Sequence, residues 1–234
     1  MDAADERFES FLRQFHPAMP RAAHDAPAFD AVVTSEQQLR EIVGVPSDRA
    51  KRKERSLLDD HCRAFIARSP FLLMATSGAD GRCDVSPKGD GPGFVHVLDD
   101  RRLVIPDRPG NKRLDGMVNL LANPHVGLLF LVPGREETLR VNGRAWITRS
   151  EDLLLRMTVN GKTPLLGIGV EVEQCFLHCP KAFMRSHLWR HEDWPEPDAL
   201  PSMACVLYDQ IRPEGLTLQD YETDIDEGNK KRLY

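Results

Sequence analysis

The sequence predicts a mainly β protein with flanking helices, built as a small antiparallel barrel of six strands. Runs of apolar and β-branched residues follow one another across short turns, which is typical of hairpins. The links between these runs are too short for repeated parallel crossovers, which excludes a doubly wound sheet. The chain of 234 residues has room for one filled core with appendages, or at most for two small domains.

The strand segments all lie in the middle of the chain. Turn residues separate them, such as Ala79-Asp80-Gly81 and Asp99-Asp100, and a glycine-rich loop spans 89–93. Seven segments with strand character, from which the six strands of the barrel are expected, cover residues 71–76, 82–88, 94–98, 102–106, 126–132, 137–148 and 165–177.

Helical periodicity appears before and between the strands. A short helix is predicted to begin at Ser35, with Gln38 completing a capping box. Longer apolar periodicity predicts a helix over 48–69, and others are predicted over 112–122 and 150–157. We therefore expect an N-terminal extension at 1–34, a barrel domain at 35–192 and a C-terminal extension at 193–234.

Composition narrows the class of protein. Hydrophobic residues make up 41% and charged residues 29% of the chain, which is typical of globular proteins. No apolar run approaches the roughly 18 residues needed to cross a bilayer, and the acidic start does not resemble a signal peptide. The net charge of −5 argues against nucleic-acid binding. We expect a cytoplasmic protein that binds neither membrane nor nucleic acid.

The five cysteines indicate neither a disulfide framework nor a metal site. Their number is odd and their spacing irregular. Cys175 and Cys179 lie close to His178 in the sequence, but this Cys-x3-Cys spacing has no matching second pair. We expect buried or half-buried thiols and no bound metal.

The stretch 105–113 is the candidate binding motif. Asn111 is a good N-cap, so Lys112 and Arg113 would form the first turn of the helix that follows, with Arg108 close before it. A helix N-terminus already carries partial positive charge, so three cations there would repel one another unless an anion bound. A phosphate dianion matches both the charge and the free N–H groups. The alternative is that the three side chains extend into water.

A further cation lies on the strand 82–88. Alternation places Asp84, Ser86 and Lys88 on one face of this strand and Val85 on the other. Lys88 is then either part of a site or a surface lysine beside a loop.

Several segments, in this order, resemble the pyridoxamine 5′-phosphate oxidase-related flavoprotein family. The resemblance covers roughly residues 35–192 and is closest to an uncharacterised bacterial branch. The segments that carry it are Ser69-Pro-Phe-Leu-Leu-Met-Ala-Thr, Asp84-Val-Ser-Pro-Lys-Gly-Asp, Ile105-Pro-Asp-Arg-Pro-Gly-Asn-Lys-Arg, Asn123-Pro-His-Val-Gly-Leu-Leu-Phe, Glu137-Thr-Leu-Arg-Val-Asn-Gly-Arg-Ala and Lys181-Ala-Phe-Met-Arg-Ser-His-Leu-Trp.

The resemblance implies a six-stranded split β-barrel that forms a homodimer and binds FMN in two clefts between the protomers. Thr138 matches a glutamine that the partner subunit contributes in the oxidase, and Trp189 matches a tryptophan near the oxidase C-terminus. Lys88 would stabilise the negative charge of a reduced flavin. The implied cofactor-binding residues are Val85, Ser86, Lys88, Ile105, Pro106, Arg108, Asn111, Lys112, Arg113, Thr138 and Trp189.

The resemblance does not extend to the substrate of the oxidase. The oxidase binds pyridoxal phosphate through a C-terminal segment, whereas this chain ends in the acidic and different stretch 216–234. Cys83 replaces the arginine that opens the flavin motif of the oxidase. We therefore do not expect pyridoxamine phosphate oxidase activity.

The function implied is an FMN-dependent oxidoreductase that transfers hydride at flavin N5 to or from an unidentified small molecule. NADH or NADPH is a plausible electron source. Because the flavin accepts the hydride, no dedicated nucleophile is required, and we assign no catalytic residue. The alternatives are a flavin-binding or flavin-sensing protein without turnover, and a split barrel that uses F420 or haem.

Overall fold

A computed structural model of the chain describes residues 29–194, 200–231 and 233–234, and divides it into two compact units, Met1–Asp48 and Arg49–Tyr234. The described part of the first unit contains helix α1 (Glu36–Val43), none of whose residues is buried. Ser35 caps this helix as predicted, since its Oγ accepts from the Gln38 N–H at 3.2 Å. Gln38 reaches back to the Thr34 N–H rather than to Ser35.

The predicted domain boundaries at residues 34 and 192 stay predictions. Much of the N-terminal extension and a few residues of the C-terminal one, at 1–28, 195–199 and 232, lie outside the described residues.

The second unit is built on one antiparallel sheet. Its order is β2-β1-β5-β6-β7-β4-β3, so the sheet is open, with β2 and β3 as its edges. The mainly β, antiparallel class with flanking helices is thus confirmed, but the number of six strands was wrong. All seven predicted segments pair, and the segment 94–98 contributes only a two-residue edge strand. The strands are β1 (Phe71–Ser77), β2 (Cys83–Gly89), β3 (His96–Val97), β4 (Arg102–Pro106), β5 (His125–Leu131), β6 (Leu139–Thr148) and β7 (Gly167–Leu177).

Short helices flank the sheet. None in the described ranges is long and apolar enough to cross a membrane. In chain order they are α2 (Asp48–Arg52), α3 (Asp60–Ile66), α4 (Asp115–Ala122), α5 (Glu151–Arg156), α6 (Lys181–Ser186), α7 (Met203–Ile211) and α8 (Leu218–Lys231), with a 3-10 turn at His191–Asp193.

The single helix predicted over 48–69 was wrong, because the chain forms α2 and α3 with an extended stretch between them. Within that stretch Arg55 pairs with Cys175 of β7 through two main-chain hydrogen bonds of 3.0 and 2.7 Å. Asp59 then starts α3 afresh, its Oδ1 accepting from the Cys62 N–H at 2.9 Å. A long-range pairing therefore overrides the local helical pattern.

The main core lies on one face of the sheet, and a smaller cluster is formed by Val104, Leu154 and Met157. Alternate residues of β1, β5 and β6 are fully buried, as in Leu72, Phe130 and Val141, and α3 adds Ile66. Burying a side chain of this size contributes about 1.5–3 kcal/mol.

Helix α4 packs against β1 and β2 and fixes the end of the sheet where the site forms. Gly116 permits the close approach, since a Cβ there would lie 3.1 Å from both Asp84 Oδ2 and Met74 Cε. Asn119 Nδ2 donates to Thr76 Oγ1 at 3.1 Å and holds the helix in register with β1.

Candidate functional site

A cavity of about 890 Å³ opens where β2, the loop after β4 and the start of α4 meet. This volume is within the range of about 300–1,000 Å³ that is typical of small-molecule sites. The described residues that line it are Met74, residues 84–88, 107–117 and 162–166, and Tyr234.

The cavity brings together most of the residues predicted from the sequence. Those that line it are Val85, Ser86, Lys88, Arg108, Asn111, Lys112 and Arg113. As predicted, Asp84, Ser86 and Lys88 share the less exposed face of β2.

Four predicted residues lie outside the cavity. Ile105 and Pro106 are buried at the end of β4, directly before the lining loop. Thr138 is buried within its own chain and offers no surface to a second protomer as placed. Trp189 donates its indole N–H to the Arg135 carbonyl at 2.7 Å and stacks on Phe183. Cofactor contacts of these four stay predictions.

The helix predicted to begin after Asn111 begins only at Asp115. Lys112 and Leu114 adopt φ of 61° and 60°, in the left-handed region, so the chain cannot be helical there. Asn111 Oδ1 accepts from the Arg113 N–H at 3.1 Å within a turn and does not cap a helix. The predicted N-cap was therefore wrong, and the cations come from a loop.

Carboxylates of the protein itself already compensate the partial positive charge at the N-terminus of α4. Asp115 lies in its first turn and takes both Arg113 Nε at 2.8 Å and Arg113 Nη2 at 3.4 Å. Asp84 Oδ2 lies close to Gly116, one residue further along. An anion in the cavity would thus be held by the loop side chains rather than by the helix terminus.

Arg108 also has a carboxylate partner. Its Nε lies 2.7 Å from Asp90 Oδ2, and both side chains are largely buried. Burial raises the pKa of the Asp90 carboxyl. Hydrogen bonds from Gly91, Tyr234 and Arg108 lower that pKa by more, so that it lies below its ordinary value.

Lys112 differs from the other two loop cations, because no ion pair joins it to any acid within the described ranges. The premise of three mutually repelling cations was therefore wrong for Arg108 and Arg113. Of these three loop cations, Lys112 is the one to which the described residues offer no counter-ion.

Two polar atoms of the cavity wall are orphaned. Asp84 Oδ2 and Ser86 Oγ are buried and find no hydrogen-bond partner in the part of the chain described. Leaving such atoms unpaired costs about 1–3 kcal/mol each. A ligand that offers polar groups along β2 would satisfy both.

Asp107 is a lining residue that the sequence interpretation missed, although it is the direct neighbour of Arg108. Burial raises the pKa of its carboxyl, and the nearby Lys88 lowers that pKa by less. The net effect is a carboxyl that retains its proton to a higher pH than usual.

Lys162, Leu165 and Tyr234 were also missed. They lie far along the chain from the motif, and no local pattern marks them. The fold brings them to the cavity through the loop before β7 and through the segment after α8.

Residues 58–179 match the family model for pyridoxamine 5′-phosphate oxidase, which is just over half of the chain. The chain belongs to this family. The family match contains all seven strands and, among the described lining residues of the cavity, all except Tyr234.

Solved structures of low sequence identity are similar to parts of the chain. HupZ of Group A Streptococcus is 18% identical, with a TM-score of 0.41, over 51% of this chain and 92% of that one. An FMN-binding protein of Syntrophomonas wolfei is 12% identical, with a TM-score of 0.41, over 50% and 83%. An F420 reductase is 20% identical, with a TM-score of 0.36, over 48% and 94%. No curated protein matches the chain.

Proposed function

We propose that the cavity binds FMN and that the protein is an FMN-dependent oxidoreductase of the pyridoxamine 5′-phosphate oxidase family. The observation that carries this proposal is that one cavity is lined both by polar atoms and by a lysine, Lys112, for which the described residues supply no partner. The two polar atoms suit the polar edge of a ring system, and the lysine suits a phosphate. When bound, FMN supplies hydride transfer at its N5 position.

The residues present fit such a group. Ser86 Oγ can donate or accept, and Asp84 Oδ2 can accept from an N–H. Lys112 and the exposed edge of Arg113 supply positive charge for a phosphate dianion. Lys88 places a further cation in the wall, which favours negative charge on a bound ring.

Haem fits the cavity less well, because the described lining contains no His or Cys, which are common axial ligands of haem iron. F420 also carries a phosphate, so the titration below is needed to separate it from FMN. A flavin-sensing protein would use the same cavity and differs only in turnover.

Titration of the purified protein with FMN, F420 and haemin tests the cofactor. We expect FMN to bind at one molecule per chain and to give the yellow flavin spectrum. Rapid anaerobic bleaching by NADH or NADPH would support an enzyme, whereas a bound flavin that no donor reduces would support the sensor. Preferential binding of F420 or haemin would contradict the FMN proposal.

The proposal includes a homodimer, because helix α4 exposes apolar side chains that a partner subunit would cover. Met117 and Leu120 bury one face of this helix in the core. Val118 and Leu121 nevertheless leave a second apolar face in solvent, with Leu121 79% exposed. A helix that is apolar on two faces is typical of an interface. Leu165, 85% exposed, lies in the cavity wall and would also be covered by a partner.

Leu121→Glu should convert the dimer into a monomer, because a carboxylate would replace an apolar contact of the proposed interface. It should also weaken FMN binding, because the proposed clefts lie between the protomers. Light scattering coupled to size exclusion measures the assembly. Ile211→Glu, on α7, is the matched control at another exposed apolar position and should stay dimeric. A wild-type monomer that retains flavin would contradict the interface.

A further inference from the structure

The segment after α8 returns to the cavity. Tyr234 lines it, together with the loops 107–113 and 162–166. These two loops are themselves joined, since the Asp107 N–H donates to the Leu166 carbonyl at 3.0 Å. Tyr234 is also the described lining residue that lies outside the matched span 58–179, so the family match does not account for it.

Three contacts from three different loops hold Tyr234. Its hydroxyl donates to Asp90 Oδ1 at 2.8 Å. The guanidinium carbon of Arg108 lies 5.8 Å from the centroid of its ring. Lys162 Nζ donates to its main-chain oxygen at 2.5 Å. Tyr234 is therefore positioned by three other segments of the fold.

Asp90 fixes the position of the Tyr234 hydroxyl. One of its carboxylate oxygens accepts a hydrogen bond from this hydroxyl and the other accepts one from Arg108 Nε, while the Asp90 side chain is only 5% exposed. Hydrogen bonds to an ionised carboxylate are shorter and stronger than neutral ones. The bond to Asp90 also raises the pKa of the Tyr234 hydroxyl, so the donor stays protonated at neutral pH.

The Tyr234 hydroxyl meets Asp90, which does not line the cavity, whereas its ring lies beside Arg108, which does. Its main-chain oxygen meets Lys162 of the other loop. Tyr234 therefore bridges the two loops that border the cavity.

We propose that Tyr234 is the access-determining residue of this cavity. Its ring closes the gap between the loops 107–113 and 162–166 and limits which molecules reach the wall formed by β2. The identity of the cofactor rests on the proposed function, whereas the closure rests on the contacts of Tyr234 alone. A reactant would have to be small and flat enough to pass or to stack on this ring.

A thiol placed on the cavity wall measures access without any flavin. Ser86→Cys puts a sulfur where the orphaned Ser86 Oγ lies, and N-ethylmaleimide labelling followed by peptide mass spectrometry reports its rate. The native Cys83 on the same strand is exposed and serves as the internal reference for reagent reactivity. The native Cys62 and Cys175 are buried and report any general opening of the fold.

The Ser86→Cys protein is compared with versions that also carry Tyr234→Ala, Tyr234→Phe or Leu233→Ala. We expect Tyr234→Ala to speed labelling at position 86 about tenfold relative to Cys83, since closure excludes solvent and reagent alike. Tyr234→Phe keeps the ring but loses the bond to Asp90, so its effect should be smaller. Leu233→Ala changes an exposed neighbour that does not line the cavity and should have no effect.

Unchanged labelling in Tyr234→Ala would overturn the inference. So would an acceleration shared by Cys62 and Cys175, because the fold as a whole would then have loosened. Failure of the wild-type protein to bind FMN would count against the proposed function and leave this assay unaffected. The two proposals can thus fail separately.

Discussion

Replacement of Lys112 and Arg113 together by glutamate should weaken FMN binding roughly 100-fold or more, because two charge reversals would face a phosphate dianion. Lys112 contributes most of this effect. It has no acidic partner among the described residues, whereas Arg113 already shares its charge with Asp115. Lys112→Glu alone should therefore reproduce the greater part of the loss. Isothermal titration or fluorescence titration with FMN measures both variants.

A variant with the same change in net charge provides the control. Lys51→Glu with Arg52→Glu reverses two exposed cations of α2 that do not line the cavity. This variant should leave the FMN dissociation constant within about twofold of wild type. Equal affinity of the cavity double variant and wild type would show that the phosphate lies elsewhere. Equal losses in both double variants would point to a general charge effect.

Gly143→Ala should destabilise the fold by about 3 kcal/mol or more, because the strands β6 and β7 leave no room for a side chain at this point. An added Cβ would lie 1.9 Å from the Glu171 carbonyl oxygen and 2.9 Å from its carbon. Both are main-chain atoms of the paired strand and cannot swing aside. The register of the two strands is irregular here, between Asn142 and Gly143.

Gly169→Ala provides the matched comparison on β7. Its added Cβ would have only the Trp146 carbonyl oxygen nearby, at an ordinary 3.8 Å. We expect its free energy of unfolding to stay within about 1 kcal/mol of wild type. Urea unfolding followed by circular dichroism compares the two variants, and equal midpoints would contradict this account of Gly143.

The strands were predictable because the signals for them are local. Alternation, apolar runs and turn residues such as Ala79-Asp80-Gly81 act within a few positions, and the predicted segments all pair in the sheet. The break between α2 and α3 was not predictable in this way. It depends on Arg55 meeting the main chain of Cys175, more than a hundred residues further on.

The site was predictable in position but not in detail. The stretch from Arg108 to Arg113 does line the cavity, yet the argument from repelling cations failed, because Asp90 and Asp115 neutralise two of them. The pairing of Arg113 with Asp115 could have been predicted, because the two residues are only two positions apart in the sequence. The pairing of Arg108 with Asp90 depends on the folded sheet. Tyr234 joins the site only through the path of the chain after α8.

The left-handed backbone at Lys112 and Leu114 has a consequence for how this loop can be changed. Glycine adopts such a conformation without steric cost, while a lysine and a leucine do so only under strain. The side chains at these two positions therefore lower the local stability of the loop. Such a cost is typical of functional sites, where activity and stability conflict. Attempts to make the protein more heat-resistant by relieving this loop should meet that conflict first.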